Sequence, residues 1–146
     1  MSENKRRGAS VERRLVSRLR ERGFAVIRAP ASGSKRKDSI PDIVAMKSGV
    51  ILAIEVKSRN GGKKIYIRKE QLDGIKDFSK RAGAEPFIAV KLGENREVLF
   101  VNLSEVKQTS SGNYVLDMES VSNYMTLDDL IRYVESKISK TLDSFM

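Results

Sequence analysis

The chain has 146 residues, of which 40% are hydrophobic and 32% are charged, and it contains neither cysteine nor histidine. This length suits one domain with one modest core. The missing residue types exclude disulfides, thiolate metal sites and every histidine-based catalytic arrangement. A metal bound here must therefore be a hard ion held by oxygen atoms, such as Mg²⁺ or Mn²⁺.

The net charge of +9 is concentrated at the start of the sequence. Residues 1–37 hold 12 Lys and Arg residues against 3 acids, whereas residues 38–146 hold 16 against 16. A local basic field favours binding to a nucleic-acid backbone; the alternative is a solvated basic face or a solubilising tail. Because no apolar run approaches the roughly 20 residues of a membrane helix and no signal peptide is evident, we expect a cytoplasmic, nucleoid-associated protein without a membrane partner.

The predicted elements begin with a flexible basic arm at residues 1–9. Ser10 is a plausible N-cap for a first helix at about 10–22. A turn at Ser48 and Gly49 predicts a hairpin between two later strands. The further predicted strands lie at 24–28, 42–47, 50–58, 85–92 and 97–103, with an extended segment at 65–67 and a short strand near 114–116. A second helix is predicted at about 68–82. A capping box of Thr126 and Asp129 opens a last helix, which ends at about 138. This order predicts an α/β fold, with a mixed central sheet flanked by helices in a single domain over residues 10–138.

Charged residues interrupt the two strands of that hairpin. Side chains alternate along a strand, so Glu55 and Lys57 share one face while the opposite face is apolar, and the hairpin brings Asp42 near Glu55. Two carboxylates and the Val56 carbonyl can hold a hard divalent cation, and Lys57 can orient or deprotonate a water molecule or stabilise charge on a phosphate. The alternative is that Glu55 and Lys57 form a surface pair on an edge strand while Asp42 caps a turn.

These residues carry a resemblance to a known family. "PD" at 41–42 and "EVK" at 55–57 resemble the PD-(D/E)xK nuclease superfamily. The opening "GASVERRLVSRLRERGFAVIRAPASGS", followed by "PDIVA" and "IEVKS", is similar to the archaeal Holliday junction resolvases of the Hjc type, from about residue 8 to 92 and less distinctly to about 135. The resemblance implies a restriction-endonuclease-like core and a homodimer that resolves four-way DNA junctions by Mg²⁺-dependent phosphodiester hydrolysis, in homologous recombination and repair.

The same resemblance implies roles for individual residues. Asp42 and Glu55 match the metal-binding carboxylates, and Lys57 matches the catalytic lysine. Glu12 matches a first-helix glutamate that helps to hold the metal through water; the alternative is an exposed helix glutamate. Ser32 matches a serine near the active site, with Ser34 as a close alternative and ordinary loop composition as the other interpretation.

Further positions are candidates for binding DNA or for supporting the site. Gln71 matches a glutamine that follows the motif in many nucleases of the superfamily, and it is equally well explained as a first-turn helix residue. Arg13 and Arg28 match positions at which the family places basic residues against DNA. The candidates chosen on charge alone are Arg14, Lys35, Arg36 and Lys37, each more suited to a phosphate than to a base.

The last eight residues, "SKTLDSFM", resemble the sliding-clamp-binding box, in which a glutamine precedes an aliphatic residue and two aromatic residues. Leu142 and Phe145 match, while Ser139 replaces the glutamine and Met146 replaces the last aromatic residue. The alternative is the frayed end of the last helix.

Two other functions stay open on the sequence alone. The chain can be a different PD-(D/E)xK nuclease, of the restriction or repair type, that acts on duplex DNA. It can also be a non-catalytic nucleic-acid-binding module, although the intact Asp42, Glu55 and Lys57 argue against that function.

Overall fold

The computed structural model describes residues 3–30 and 40–144, with side chains from Gly8 onward. Within these residues, no helix has both the length and the apolar character that crossing a membrane requires. A short 3₁₀ turn spans Leu103–Glu105. The helices and strands, in chain order, are α1 (Glu3–Glu21), β1 (Ala25–Arg28), β2 (Ile43–Lys47), β3 (Val50–Ser58), β4 (Lys64–Ile67), α2 (Lys69–Ala82), β5 (Glu85–Lys91), β6 (Leu99–Asn102), β7 (Lys107–Gln108), β8 (Tyr114–Asp117) and α3 (Leu127–Ser144).

A mixed five-stranded sheet forms the centre of the fold, in the order β1-β2-β3-β5-β6. The pair β3–β5 is parallel and the other neighbours are antiparallel. The predicted hairpin of β2 and β3 is confirmed, and its turn residues Ser48 and Gly49 have φ of 47° and 87°. Positive φ at both turn positions matches the right-handed twist of the paired strands, and it fixes their register.

Both faces of this sheet are covered, and a hydrophobic cluster fills each side. The first cluster joins one face to α1 and α3, through residues such as Leu15, Leu19, Ile131 and Val134. The second cluster joins the opposite face to α2, through Leu72 and Ile75. Strand β3 is therefore buried along most of its length, and charged residues on it need specific partners.

A second, three-stranded sheet in the order β4-β8-β7 covers the α2 side. Its inward residues Ile65, Ile67 and Leu116 belong to the second cluster. The sequence predicted an extended segment near β4 and a short strand near β8, but not that they pair in a separate sheet.

Two helix boundaries differ from the prediction. The predicted start of the first helix at Ser10 is wrong, because α1 begins at Glu3; Lys and Arg favour helix and a helical glycine such as Gly8 costs only about 1 kcal/mol. Residues 3–9, predicted to be a flexible arm, therefore have a helical backbone. The last helix also continues beyond residue 138 to Ser144, so residues 139–144 of the predicted tail are helical.

The predicted capping box at the start of α3 is confirmed. The Asp129 N–H donates to Thr126 Oγ1 at 3.1 Å, and the Thr126 N–H donates to Asp129 Oδ2 at 3.1 Å. The two residues thus satisfy each other's backbone donors at the first turn.

Candidate active site

The register of β2 and β3 brings Asp42 and Glu55 together. Ile43 pairs with Ile54, so the next residue on each side places Asp42 opposite Glu55. The Val56 N–H donates to Asp42 Oδ2 at 2.8 Å, which fixes the carboxylate against β3. The two carboxyl groups are close enough for Asp42 to raise the pKa of Glu55. The sequence prediction that these residues meet is borne out by the strand register.

Gln71, on the first turn of α2, connects Glu55 to Lys57. Its Nε2 donates to Glu55 Oε2 at 2.8 Å, and its Oε1 accepts from Lys57 Nζ at 3.0 Å. The Gln71 amide is thereby oriented with its N–H toward the Glu55 carboxylate and its oxygen toward the Lys57 ammonium. Glu55 is only 2% exposed, so this contact supplies a partner that a buried carboxylate needs.

The electrostatics of the cluster follow from burial. Burial raises the pKa of Glu55 well above its ordinary value of 4.5, and the adjacent Asp42 raises it further. Burial also lowers the pKa of Lys57 from 10.5, although the Glu55 and Asp42 charges oppose that shift. The site therefore holds an acid that resists ionisation next to an amine that gives up its proton more readily.

Glu12, on α1, lies at the edge of the same cluster. Its Oε2 accepts from Arg28 at 3.3 Å, and the pKa of Glu12 is raised by burial and then by the Asp42 charge. Arg28, predicted as a DNA contact, thus pairs with a site carboxylate. The backbone around Arg28 is anchored to the site as well, because the Ala29 N–H donates to the Asp42 carbonyl at 2.8 Å.

Comparison with known proteins identifies a protein family that matches this chain. Residues 3–139 match the family described as archaeal Holliday junction resolvase (hjc). The chain belongs to that family. It is similar to the crossover junction endodeoxyribonucleases Hjc of Sulfurisphaera tokodaii, at 62% identity over the whole of both chains, and of Sulfolobus acidocaldarius, at 58% identity over 98% of this chain and 99% of the relative.

A solved structure agrees with the family match. Hjc of Archaeoglobus fulgidus, described as a Holliday junction resolvase from an archaeal hyperthermophile, superposes with a TM-score of 0.74 at 27% identity. The match covers 85% of this chain and 99% of that one. The resemblance to the Hjc-type resolvases and the mixed-sheet fold class are thereby confirmed.

The two carboxylates of this site, Asp42 and Glu55, have the chemistry that a hard divalent cation needs. Among the described side chains, at residues 8–30 and 40–144, no group of three or more from His, Cys, Asp or Glu lies close enough to hold one ion. The Asp42 carboxylate is held against β3 next to Glu55 and raises the Glu55 pKa, and a divalent ion offsets the repulsion of two such acids. The Val56 N–H donates to the Asp42 carboxylate, and the Val56 carbonyl faces the same edge of β3, because the N–H and C=O of one strand residue point to the same side. That carbonyl oxygen is thus suited to be a third ligand.

The predicted DNA-binding residues fall into two groups. Arg13 and Arg14 are exposed on α1. Ser32, its alternative Ser34, and the basic residues Lys35, Arg36 and Lys37 lie outside the described residues.

Two basic residues near the site were missed by the sequence analysis. Arg59 and Arg68 lie close enough to Lys57 for their charges to lower its pKa, after the larger effects of burial and the two acids. The basic segment "RNGGKK", which begins at Arg59, was the sequence signal for positive charge near the site. Nothing in that segment indicates that the packing of α2 places Arg68 near the end of β3.

The predicted clamp-binding residues lie at the end of α3. Leu142 is 60% exposed on the last helical turns. Phe145 lies outside the described residues.

Proposed function

We propose that the chain is a structure-selective, Mg²⁺-dependent endonuclease that cuts four-way DNA junctions in homologous recombination and repair. The observation that carries the proposal is the placement of Asp42 next to Glu55 and beside Lys57, in a chain of the archaeal Holliday junction resolvase family. Two relatives that match the chain over nearly their full length are named crossover junction endodeoxyribonucleases, which supports four-way junctions as the substrate class.

In this proposal Asp42, Glu55 and the Val56 carbonyl hold the divalent cation, Mg²⁺ or Mn²⁺, with Glu12 acting through water. When bound, such a cation polarises a phosphoryl oxygen and lowers the pKa of a water molecule. Lys57 orients the attacking water and stabilises negative charge on the phosphate. Gln71 holds the Lys57 ammonium and the Glu55 carboxylate at a fixed separation, so their geometry is set before DNA arrives.

The basic residues bind the DNA backbone in this proposal. Arg13 and Arg14 on α1 contact phosphates, together with Arg28 and the loop residues Lys35, Arg36 and Lys37. Phosphate contacts position the substrate but carry no sequence information. Selectivity must therefore come from the shape of the branch.

The assembly is a homodimer in this proposal, and the end of α3 contacts the sliding clamp. A junction is cut on two strands related by a two-fold axis, which a C₂ dimer with two sites matches. The exposed Leu142 supports the clamp contact, because a large apolar side chain at the end of a helix is free to enter a partner's pocket.

The test compares a four-way junction with a linear duplex built from the same arm sequences, in Mg²⁺, Ca²⁺ and EDTA. Wild-type protein should cut the junction in Mg²⁺ and spare the duplex. Asp42→Asn keeps an oxygen that can accept from the Val56 N–H but loses the charge, so junction cleavage should fall by about a hundred-fold or more. Its junction affinity in Ca²⁺ should stay close to wild type.

The matched control is Asp143→Asn, an exposed acid on the last turn of α3, which should cut normally. Equal cutting of duplex and junction by wild type would remove the junction selectivity. If Asp42→Asn lost binding and cleavage together, Asp42 would have a folding role instead.

A further inference from the structure

The outer face of β4 carries an exposed aromatic residue between two exposed cations. Burial alternates along β4, with Ile65 and Ile67 inside and Lys64 and Tyr66 outside. Arg68 follows in an extended conformation, φ −66° and ψ 145°, and is also exposed. These three side chains, called here the Lys64–Tyr66–Arg68 stripe, therefore point from one face of the strand over a span of about 13 Å.

Tyr66 is 64% exposed, which is unusual for so large a ring. Tyrosine is a common strand residue, so its exposure rather than its type is informative. Across the three-stranded sheet it pairs with Val115, which pairs in turn with the exposed Lys107. The ring thus lies on a surface to which Lys107 adds a positive charge, while Asp117 lies opposite Lys64 on the neighbouring strand.

The stripe leads directly to the catalytic cluster. Arg68 is the N-cap residue of α2, three positions before the Gln71 that holds Glu55 and Lys57. Arg68 and Arg59 both act electrostatically on Lys57. Arg59 and Arg68 thus add positive charge next to Lys57, beside the Glu55 and Asp42 carboxylates, and this positive charge attracts the DNA phosphate that the proposed reaction brings there.

A groove of about 290 Å³ adjoins the ring and is lined by Tyr66, Ile67, Arg68, Thr109, Ser111 and Asn113. Its polar residues are held by a local network in which Thr109 Oγ1 lies 2.9 Å from Ser111 Oγ and Asn113 Oδ1 accepts from the Lys69 N–H at 3.2 Å. The surface that lines this groove is mostly apolar, and an exposed aromatic ring with flanking cations beside such a groove is the pattern of a platform on which unpaired or unstacked bases lie.

We infer that the Lys64–Tyr66–Arg68 stripe is a second DNA contact, at which Tyr66 stacks on a base left uncovered at the branch point while Lys64 and Arg68 bind the neighbouring phosphates. In a linear duplex each base face is covered by its neighbour, whereas strand exchange interrupts that stacking. The inference rests on the proposed function, and it gives this enzyme a source of branch selectivity that Asp42, Glu55 and Lys57 do not supply.

The experiment measures the affinity of Tyr66→Ala and Tyr66→Phe for the four-way junction and for the matched linear duplex, in Ca²⁺ so that no cleavage occurs. Tyr66→Ala should bind the junction about ten-fold more weakly, because one base loses its stacking partner. Tyr66→Phe keeps the ring and should stay within about two-fold of wild type. Neither change should alter duplex affinity. A fluorescent adenine analogue at the branch point should be quenched by wild type and Tyr66→Phe but not by Tyr66→Ala.

The matched control is Tyr124→Ala, because Tyr124 is 57% exposed before α3 and does not belong to the stripe. Arg68→Gln and Lys64→Gln form the second arm: each should weaken junction and duplex alike and lower the slope of log affinity against log salt by about one. This arm tests the phosphate contacts independently of the ring.

The outcomes separate the two proposals. A wild-type protein that binds junction and duplex equally would refute the proposed function. A wild type that prefers the junction, together with Tyr66→Ala that binds it normally, would overturn this inference alone. A Tyr66→Ala variant with a changed sedimentation mass would assign the stripe to contact between copies of the chain and would also overturn it.

Discussion

Gln71 shows how one neutral side chain sets the positions of two charged ones. If it is a positioning residue, Gln71→Leu should lower junction cleavage about ten- to a hundred-fold, the usual effect of removing an outer partner of a metal ligand. Junction affinity should change little, because Gln71 hydrogen-bonds the reactive groups and is not proposed to contact DNA. Single-turnover cleavage and Ca²⁺ binding assays separate these effects.

The adjacent exposed residue provides the control for Gln71. Glu70→Gln changes a neighbouring position on α2 without touching Glu55 or Lys57, and it should cut at the wild-type rate. The pH profile of cleavage should also shift in Gln71→Leu, since the Lys57 ammonium loses an acceptor. A normal rate and a normal pH profile would show that Gln71 only packs against the site.

Glu55 makes stability depend on pH in the absence of metal. The ordinary pKa of the Glu55 carboxyl group is 4.5, and its pKa in the folded protein is higher. At a pH between the ordinary pKa and the folded-state pKa, the folded state therefore binds more protons than the unfolded state. The free energy of unfolding therefore falls as pH rises through this window, and the loss is complete above the folded-state pKa. Glu55→Gln cannot ionise, so with EDTA it should be more stable than wild type at about pH 8 and similar at about pH 4.

Urea unfolding in EDTA at stepped pH tests this expectation. The raised pKa of Glu12 leaves part of the pH dependence in Glu55→Gln, so the difference between variant and wild type is the informative quantity. Glu94→Gln, at an exposed loop position, should follow the wild-type curve. A constant difference between Glu55→Gln and wild type at every pH would contradict the assigned ionisation.

At the scale of elements, local patterns predicted the central hairpin and the meeting of Asp42 with Glu55. The turn at Ser48 and Gly49 fixes which residues pair, and alternation fixes which face each side chain occupies. The register of β2 and β3 could therefore be predicted from the sequence, because these two strands follow each other in the chain. The family resemblance then added Glu12, which α1 carries to the same cluster.

Elements that depend on distant pairing could not be read in the same way. Strands β4 and β8 have four residues each and lie about 50 positions apart, so no local signal specifies their pairing. The approach of Arg68 to Lys57 likewise depends on where α2 packs. The start of α1 was misplaced because Ser10, a good capping residue, is also tolerated inside a helix.

The end of α3 is the element proposed to bind the sliding clamp. Leu142 is exposed on a helix that continues to Ser144, so a clamp pocket can reach it without unfolding the core. In calorimetric titration with the clamp, Leu142→Ala should bind about ten-fold more weakly than wild type, as expected for an apolar anchor. Lys140→Ala, an exposed neighbour, should bind normally. Absence of heat with the wild-type chain would remove the clamp from the list of partners.

At the scale of the whole molecule, the described part of the chain contains one Asp42–Glu55–Lys57 cluster, whereas resolution of a junction requires two cuts. In the proposed homodimer, two copies related by a two-fold axis would supply two sites and would also join their basic N-terminal regions into one DNA-binding surface. Sedimentation equilibrium should therefore give about twice the 16.4 kDa of one chain. A single-chain mass at working concentration would contradict the dimer.

The strongest test of paired sites uses a mixed dimer of one wild-type chain and one Asp42→Asn chain, purified through two different tags. On a supercoiled plasmid that extrudes a cruciform, wild type should cut both strands during one binding event and give linear DNA. The mixed dimer retains one functional cluster, so it should stop at the nicked circle, at roughly half the wild-type rate of first-strand cutting. Linear product from the mixed dimer would mean that one site makes both cuts, because the second chain has no Asp42 carboxylate with which to make its own. Tagged wild-type pairs, carried through the same purification, establish that the tags do not change the product.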